Sequence, residues 1–128
     1  MLLDGELDAA VLGDKLPAPR LKRLIPDHDA AAKAWAVKHG HPINHMLVIR
    51  SELSRTRPDL VREVFRLFKE SRDAAVREGN KNAAELQYGV EPNRRSLETI
   101  IDIVFGQKLI PRRFSVDELF DDTTRALT

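Results

Sequence analysis

The stretch Pro58–Glu78 constrains this chain more than any other part of it. Leu60, Val61, Val64, Phe65, Leu67 and Phe68 recur at helical spacing and make one broad apolar stripe. Arg62, Arg66, Lys69, Glu70 and Arg72 fall on the opposite side. Pro58 suits a first helical turn, where its missing N–H costs nothing, and Gly79 is a natural stop. A long helix over Pro58–Glu78 is therefore predicted, with one face that needs a second layer to cover it. That stripe is read as core, with no chemistry assigned to it.

The remaining elements are read around this helix. Leu7–Leu12 is a short apolar run between Gly5 and Gly13, which suits a buried strand. Pro17 and Pro19 mark a loop, and Leu21–Ile25 reads as a second short extended piece stopped by Pro26. Asp27 is a candidate N-cap for a helix over His28–His39, in which four alanines favour helix, Gly40 ends it and Trp35 is expected to pack it down. Ile43–Arg50 is apolar in the middle of both faces and reads as an interior strand. Ser51 is expected to cap a short helical turn, and a polar connector to run from Gly79 to Gln87. Leu97, Ile100, Ile101, Val104 and Phe105 make a second amphipathic helix closed near Gly106. Ser115 and Glu118 have the spacing of a capping box, which predicts a short helix over Val116–Phe120.

Composition excludes several classes of function. With 42% hydrophobic and 32% charged residues the chain has the balance of a soluble globular domain, and its 128 residues suit one domain. Its 21 basic and 20 acidic residues give a net charge of +1, so it has no electrostatic footprint for nucleic acid or an anionic membrane. Cysteine is absent, which removes disulfides, thiol nucleophiles and cysteine-based zinc sites. MLLDGELDAAVLG has no basic stretch before an apolar run, so no signal peptide is expected there.

Two blocks carry a family resemblance. PINHMLVIRSELSRTRPDLVREVFRLF, Pro42–Phe68, resembles the return segment of type II solute-binding folds, in which a strand re-enters the first domain and a long helix follows. Its PINH stretch, with YGVEPNRRSLETIIDIV (Tyr88–Val104) and RRFSVDELF (Arg112–Phe120), resembles the 4,5-dihydroxyphthalate decarboxylase-like branch in particular. LLDGELDAAV resembles the last strand of the second domain in those folds. Two departures stand out. The connector Val76–Tyr88 is shorter than the family pattern, and the family's N-terminal half, with most of both sheets and of the ligand cleft, has no counterpart here.

The resemblance implies an α/β fold: a helix-rich, partial type II solute-binding-protein-like domain with about three strands and four helices. Residues 1–25 would be the end of the second lobe and the crossover, and 26–128 the return segment of the first lobe. The implied function is that of the C-terminal part of an aromatic acid decarboxylase of phthalate degradation, a carboxy-lyase inactive alone. The alternative is a solute-binding module for a small organic anion, since one fold hosts both. The setting would be cytoplasmic for the first and periplasmic for the second. Expected partners are a small aromatic or organic acid, and a second copy or a separately encoded N-terminal half. Neither nucleic acid nor membrane is expected.

Aromatic decarboxylation needs a grip on the carboxylate and a proton for the ring carbon as CO2 leaves. A hydroxylated ring takes up the developing negative charge, so no cofactor is implied. His45 is the general-acid candidate, because imidazole titrates near neutrality; the plainer reading is a buried histidine bonded to backbone. Asn44, Asp8 and Arg94 are the substrate-binding candidates. In a regular strand Asn44 points away from His45, and as a turn residue it would bond its own backbone. Asp8 is a carboxylate in an apolar run, at a cleft or at a solvent edge. Arg94 could fork a substrate carboxylate or pair with Glu91 or Glu98. His39, His41 and His45 raise a metal site that lacks a carboxylate partner, and His39 fits better in a last helical turn, so no metal is assigned.

Overall fold

A computed structural model describes residues 1–11 and 19–128. Every regular element among them is helical: α1 (His28–His39), α2 (Ser51–Thr56), α3 (Pro58–Arg77), α4 (Lys81–Ala84), α5 (Val90–Gly106), a 3-10 turn (Val116–Leu119) and α6 (Asp122–Arg125). The chain divides into two compact units, Met1–Trp35 and Ala36–Thr128.

The expected α/β fold is overturned, because the described residues form no strand. Leu7–Val11 and Leu21–Ile25 are irregular; Leu12, Gly13 and Pro17 lie outside the described residues. Ile43–Arg50 is irregular too, and no residue from 41 to 49 makes a backbone–backbone hydrogen bond with another described residue. A strand is defined by its neighbour, and an apolar run with nothing to pair with cannot become one however well its pattern suits a sheet. Asn44 and His45 are accordingly exposed, so the interior-strand setting in which they were read does not exist.

The helices follow local rules closely. The helix predicted over Pro58–Glu78 runs Pro58–Arg77, with proline in its first turn. Its end is a Schellman motif: Gly79 N–H donates to Val76 O at 2.9 Å and Asn80 N–H to Ala75 O at 3.0 Å, with Gly79 at φ 87. α5 closes the same way, through Lys108 N–H to Phe105 O and Leu109 N–H to Val104 O, both 2.9 Å. The left-handed position falls on Lys108 at φ 59, two residues past Gly106, the expected stop. Asn80 and Asp121 cap α4 and α6 by accepting from the amides of Ala83 and Thr124. Ser51 is the first residue of α2 rather than its cap; Arg50 holds that position without a side-chain bond. α1 buries no residue, and Trp35 is half-exposed rather than sealed against a core.

In the second unit α3 is flanked by α2, α4 and α6, and the 3-10 turn packs on α5. Val90, Leu97 and Ile101 of α5 join Val116 in the core, with Ile43, Ile110 and Phe120 packed against them. The end of α1 docks on the same helix: Thr99 Oγ1 donates to His39 O at 2.8 Å, and Gly40 at φ 82 lies so close that a Cβ would stand 2.9 Å from Ser96 N. Ser54 is 1% exposed and its hydroxyl lacks a partner of regular hydrogen-bond geometry, yet it is the leading influence holding the Asp121 carboxyl below its usual range, ahead of the Thr124 amide and hydroxyl.

Two substitutions test this reading of the backbone. Gly40→Ala combines a left-handed φ with a clash against α5 and should destabilise the fold by about 1–3 kcal/mol. Lys108→Gly removes the left-handed penalty and should stabilise it by about 0.5–1 kcal/mol after the extra chain entropy of glycine is counted. Urea denaturation followed by circular dichroism measures both; equal midpoints for wild type and Lys108→Gly would show that strain at the αL end of α5 is no larger than the chain entropy that glycine adds.

Candidate functional site

Arg94 and the residues around it make the most organised polar group in the second unit. They line a shallow depression of about 180 Å³ whose walls include Arg94, Glu98 and Ile101 from α5, with Arg113, Ser115 and Asp117 around the 3-10 turn. That volume is below the roughly 300–1,000 Å³ of pockets that enclose a small molecule. Arg94 places Nη2 2.5 Å from Glu91 Oε1 and 3.0 Å from Asp117 Oδ1, and its Nε donates to both Glu91 oxygens. Glu91, then Asp117, raises the Arg94 pKa; Arg94 in turn holds both carboxyls low. The expected pairing with Glu91 is therefore present, Asp117 takes the place considered for Glu98, and the guanidinium fork is already occupied by carboxylates.

The neighbouring arginines are held in the same way. Arg113 Nε donates to Asp102 at 2.5 Å. Arg112 pairs with Glu118 at 2.7 Å while its guanidinium lies 4.1 Å from the Phe114 ring centroid. Glu118 also accepts from the Ser115 amide at 2.7 Å and the Ser115 hydroxyl at 3.0 Å, so the glutamate reaches back as a capping box requires. Arg112 first, then the Ser115 amide and hydroxyl, bring the Glu118 carboxyl down to about 2. Beyond the Ser115–Glu118 cap, the site takes in Arg112, Arg113 and Asp117; the signal that marks them is a pair of arginines at 112–113 followed by a pair of acids at 117–118.

A second network ties α3 to the start of α5. Tyr88 meets the Phe65 ring edge-on at 5.7 Å, donates to Phe68 O at 3.3 Å and lies under the Arg72 guanidinium at 5.3 Å. Asn93 Nδ2 donates to Gln87 O and Gly89 O, at 3.1 and 2.9 Å. The YGVE-NR block is thus engaged in holding the chain entry into α5.

Within the second unit, Asn44, His45 and His39 do not line the Arg94 depression. Asn44 and His45 are exposed on the irregular segment, without hydrogen bonds to other described residues. Asp8 is exposed in the first unit and does not line the apolar depression formed there by Met1, Leu3, Leu7 and Leu21. His39 is in the last turn of α1. Among the described residues no group of three or more histidines or acids is placed to hold a metal ion, and no helix is long and apolar enough to cross a membrane. No family model matches the chain, and no curated protein or solved structure matches it.

The Glu118 cluster makes a pH prediction. A carboxyl whose folded-state pKa is depressed stabilises the fold above its unfolded value, here 4.5, and that contribution is lost as pH falls toward about 2. Glu118→Gln should therefore be less stable than wild type at pH 6, with the gap closing progressively below pH 4.5. Urea midpoints of the two proteins across that range are the measurement; a constant gap would mean that the carboxylate charge is not what Ser115 and Arg112 hold.

Proposed function

We propose that the chain is the C-terminal part of an aromatic acid decarboxylase of the 4,5-dihydroxyphthalate decarboxylase-like kind, without turnover of its own. The observation that carries this reading is the contrast between the two motif blocks. The side chains of Tyr88, Asn93 and Arg94 are engaged within the chain. Asn44 and His45 of the PINH block are exposed and available to a ligand. An imidazole so placed can deliver a proton to the ring carbon of a hydroxylated aromatic acid once other polypeptide excludes water. Asn44 can bond a ring hydroxyl, Arg94 would serve the ligand only after release from its carboxylate partners, and Asp8 is a further binding candidate. The remaining walls would come from further polypeptide, a second copy or an N-terminal half, in the cytoplasm.

The chain alone, incubated with 4,5-dihydroxyphthalate, should release no CO2 above buffer. In the completed assembly His45→Gln should lower turnover about 100-fold, the usual size of a lost general acid, and leave the melting temperature unchanged. Turnover by the chain alone sinks the proposal, as does a His45→Gln assembly that keeps full activity. Ligand binding without CO2 release by the completed assembly would favour a periplasmic solute-binding module instead.

A further inference from the structure

The segment from Pro42 to Arg50 is held at both ends and open in the middle. Ile43 packs on the Val90, Leu97, Ile101 and Val116 core, and Ile49 is half-buried. Arg50 has extended backbone, φ −63 and ψ 130, and leads directly into α2. Between these anchors Met46, Leu47 and Val48 are 49%, 72% and 84% exposed. The backbone of residues 41–49 bonds to no other described backbone group. From Ile43 to Ile49 the run contains no proline; an apolar-centred run with a bare backbone is the chemistry of an unpaired sheet edge, and tethered ends reduce the entropy lost on pairing.

We propose that this segment pairs antiparallel with the same segment of a second copy of the chain, about a two-fold axis at Leu47. Charge and symmetry favour that occupant. From Ile43 to Ile49 the only titratable side chain is His45, so two copies meet without like charges opposed. With Leu47 on the axis, Met46 faces Val48, His45 faces Ile49, and the Arg50 guanidinium faces the Asn44 carboxamide oxygen, a donor against an acceptor. The register is self-complementary, as a two-fold interface requires. A patch this small gives a weak dimer, with a dissociation constant on the order of micromolar or above. The inference is independent of whether the chain acts on an aromatic acid.

The absence of cysteine makes a register test direct. Leu47→Cys places two thiols across the axis at a Cα separation of about 4.5–5.5 Å, within disulfide reach, whereas Met46→Cys leaves its two copies on a diagonal of about 7–8 Å. Light scattering on the purified chain should move from 14.5 kDa toward twice that as concentration rises through the micromolar range. Leu47→Pro should stay monomeric with unchanged helical circular dichroism, since the segment it alters makes no intrachain backbone bonds. Under mild oxidation Leu47→Cys should cross-link at least about ten times faster than Met46→Cys. A monomer at every concentration, a dimer that survives Leu47→Pro, or equal cross-linking rates would each overturn the proposal.

Discussion

The packing of α5 around Leu97 is the constraint on which the second unit depends. Leu97 is 2% exposed and lies in the cluster where the irregular segment and the 3-10 turn meet α5. Ser96 meets Gly40 so closely that only a residue without Cβ fits, and Thr99 holds the His39 carbonyl. Val116 and Ile43 close the same core from the 3-10 turn and the irregular segment. Buried hydrophobic residues are few among those described, so no larger core shares the load. Truncating one side chain here removes the common reference for three pieces of chain, and the loss exceeds the transfer energy of its methyl groups.

The charged residues are arranged for order rather than capture. Arg94, Arg112 and Arg113 lie within reach of carboxylates from α5 or the 3-10 turn, and each is taken. A substrate carboxylate reaching Arg94 would displace Glu91 and Asp117, exchanging one ion pair for another of the same kind and leaving the displaced acids beside a new negative charge. Such an exchange supplies little binding energy in an exposed, solvent-screened depression.

What was legible in the sequence was what neighbouring residues decide among themselves. The α3 stripe, the α5 stripe and the Ser115–Glu118 cap are written in three- and four-residue spacings, and the structure places all of them within a residue or so. Asn80 and Asp121 carry the same kind of signal, but the helices that they start have only four residues, too few for an apolar period to show. Lys108 was not legible, because nothing local distinguishes a lysine forced into αL from one on a surface turn; the demand comes from the Schellman bonds at Phe105 and Val104. The strands were misread for a deeper reason. A period of two in Ile43–Arg50 says which faces would be covered, but not that a neighbour exists, and the pairing partner is never contained in the run itself. The setting assumed for Asn44 and His45 fell with the strand that carried it.

The same distinction explains which apolar residues remain uncovered. α3 buries Val61 but leaves Leu60, Leu67 and Phe68 of the same stripe exposed, and it remains a helix because its hydrogen bonds are internal. Met46–Val48 has no such internal supply and loses regular structure altogether. Covering either surface gains roughly 25 cal/mol for each Å² of apolar area withdrawn from water, but the consequences differ. For α3 the gain adds stability to an element already formed. For residues 42–50 the gain must also offset the ordering of the backbone, so structure and contact there are thermodynamically one event, and any surface that binds the ordered form raises the apparent stability of the chain with its own concentration. The helices of this protein carry their hydrogen bonds within themselves, whereas the segment carrying His45 would need a surface outside itself to supply them.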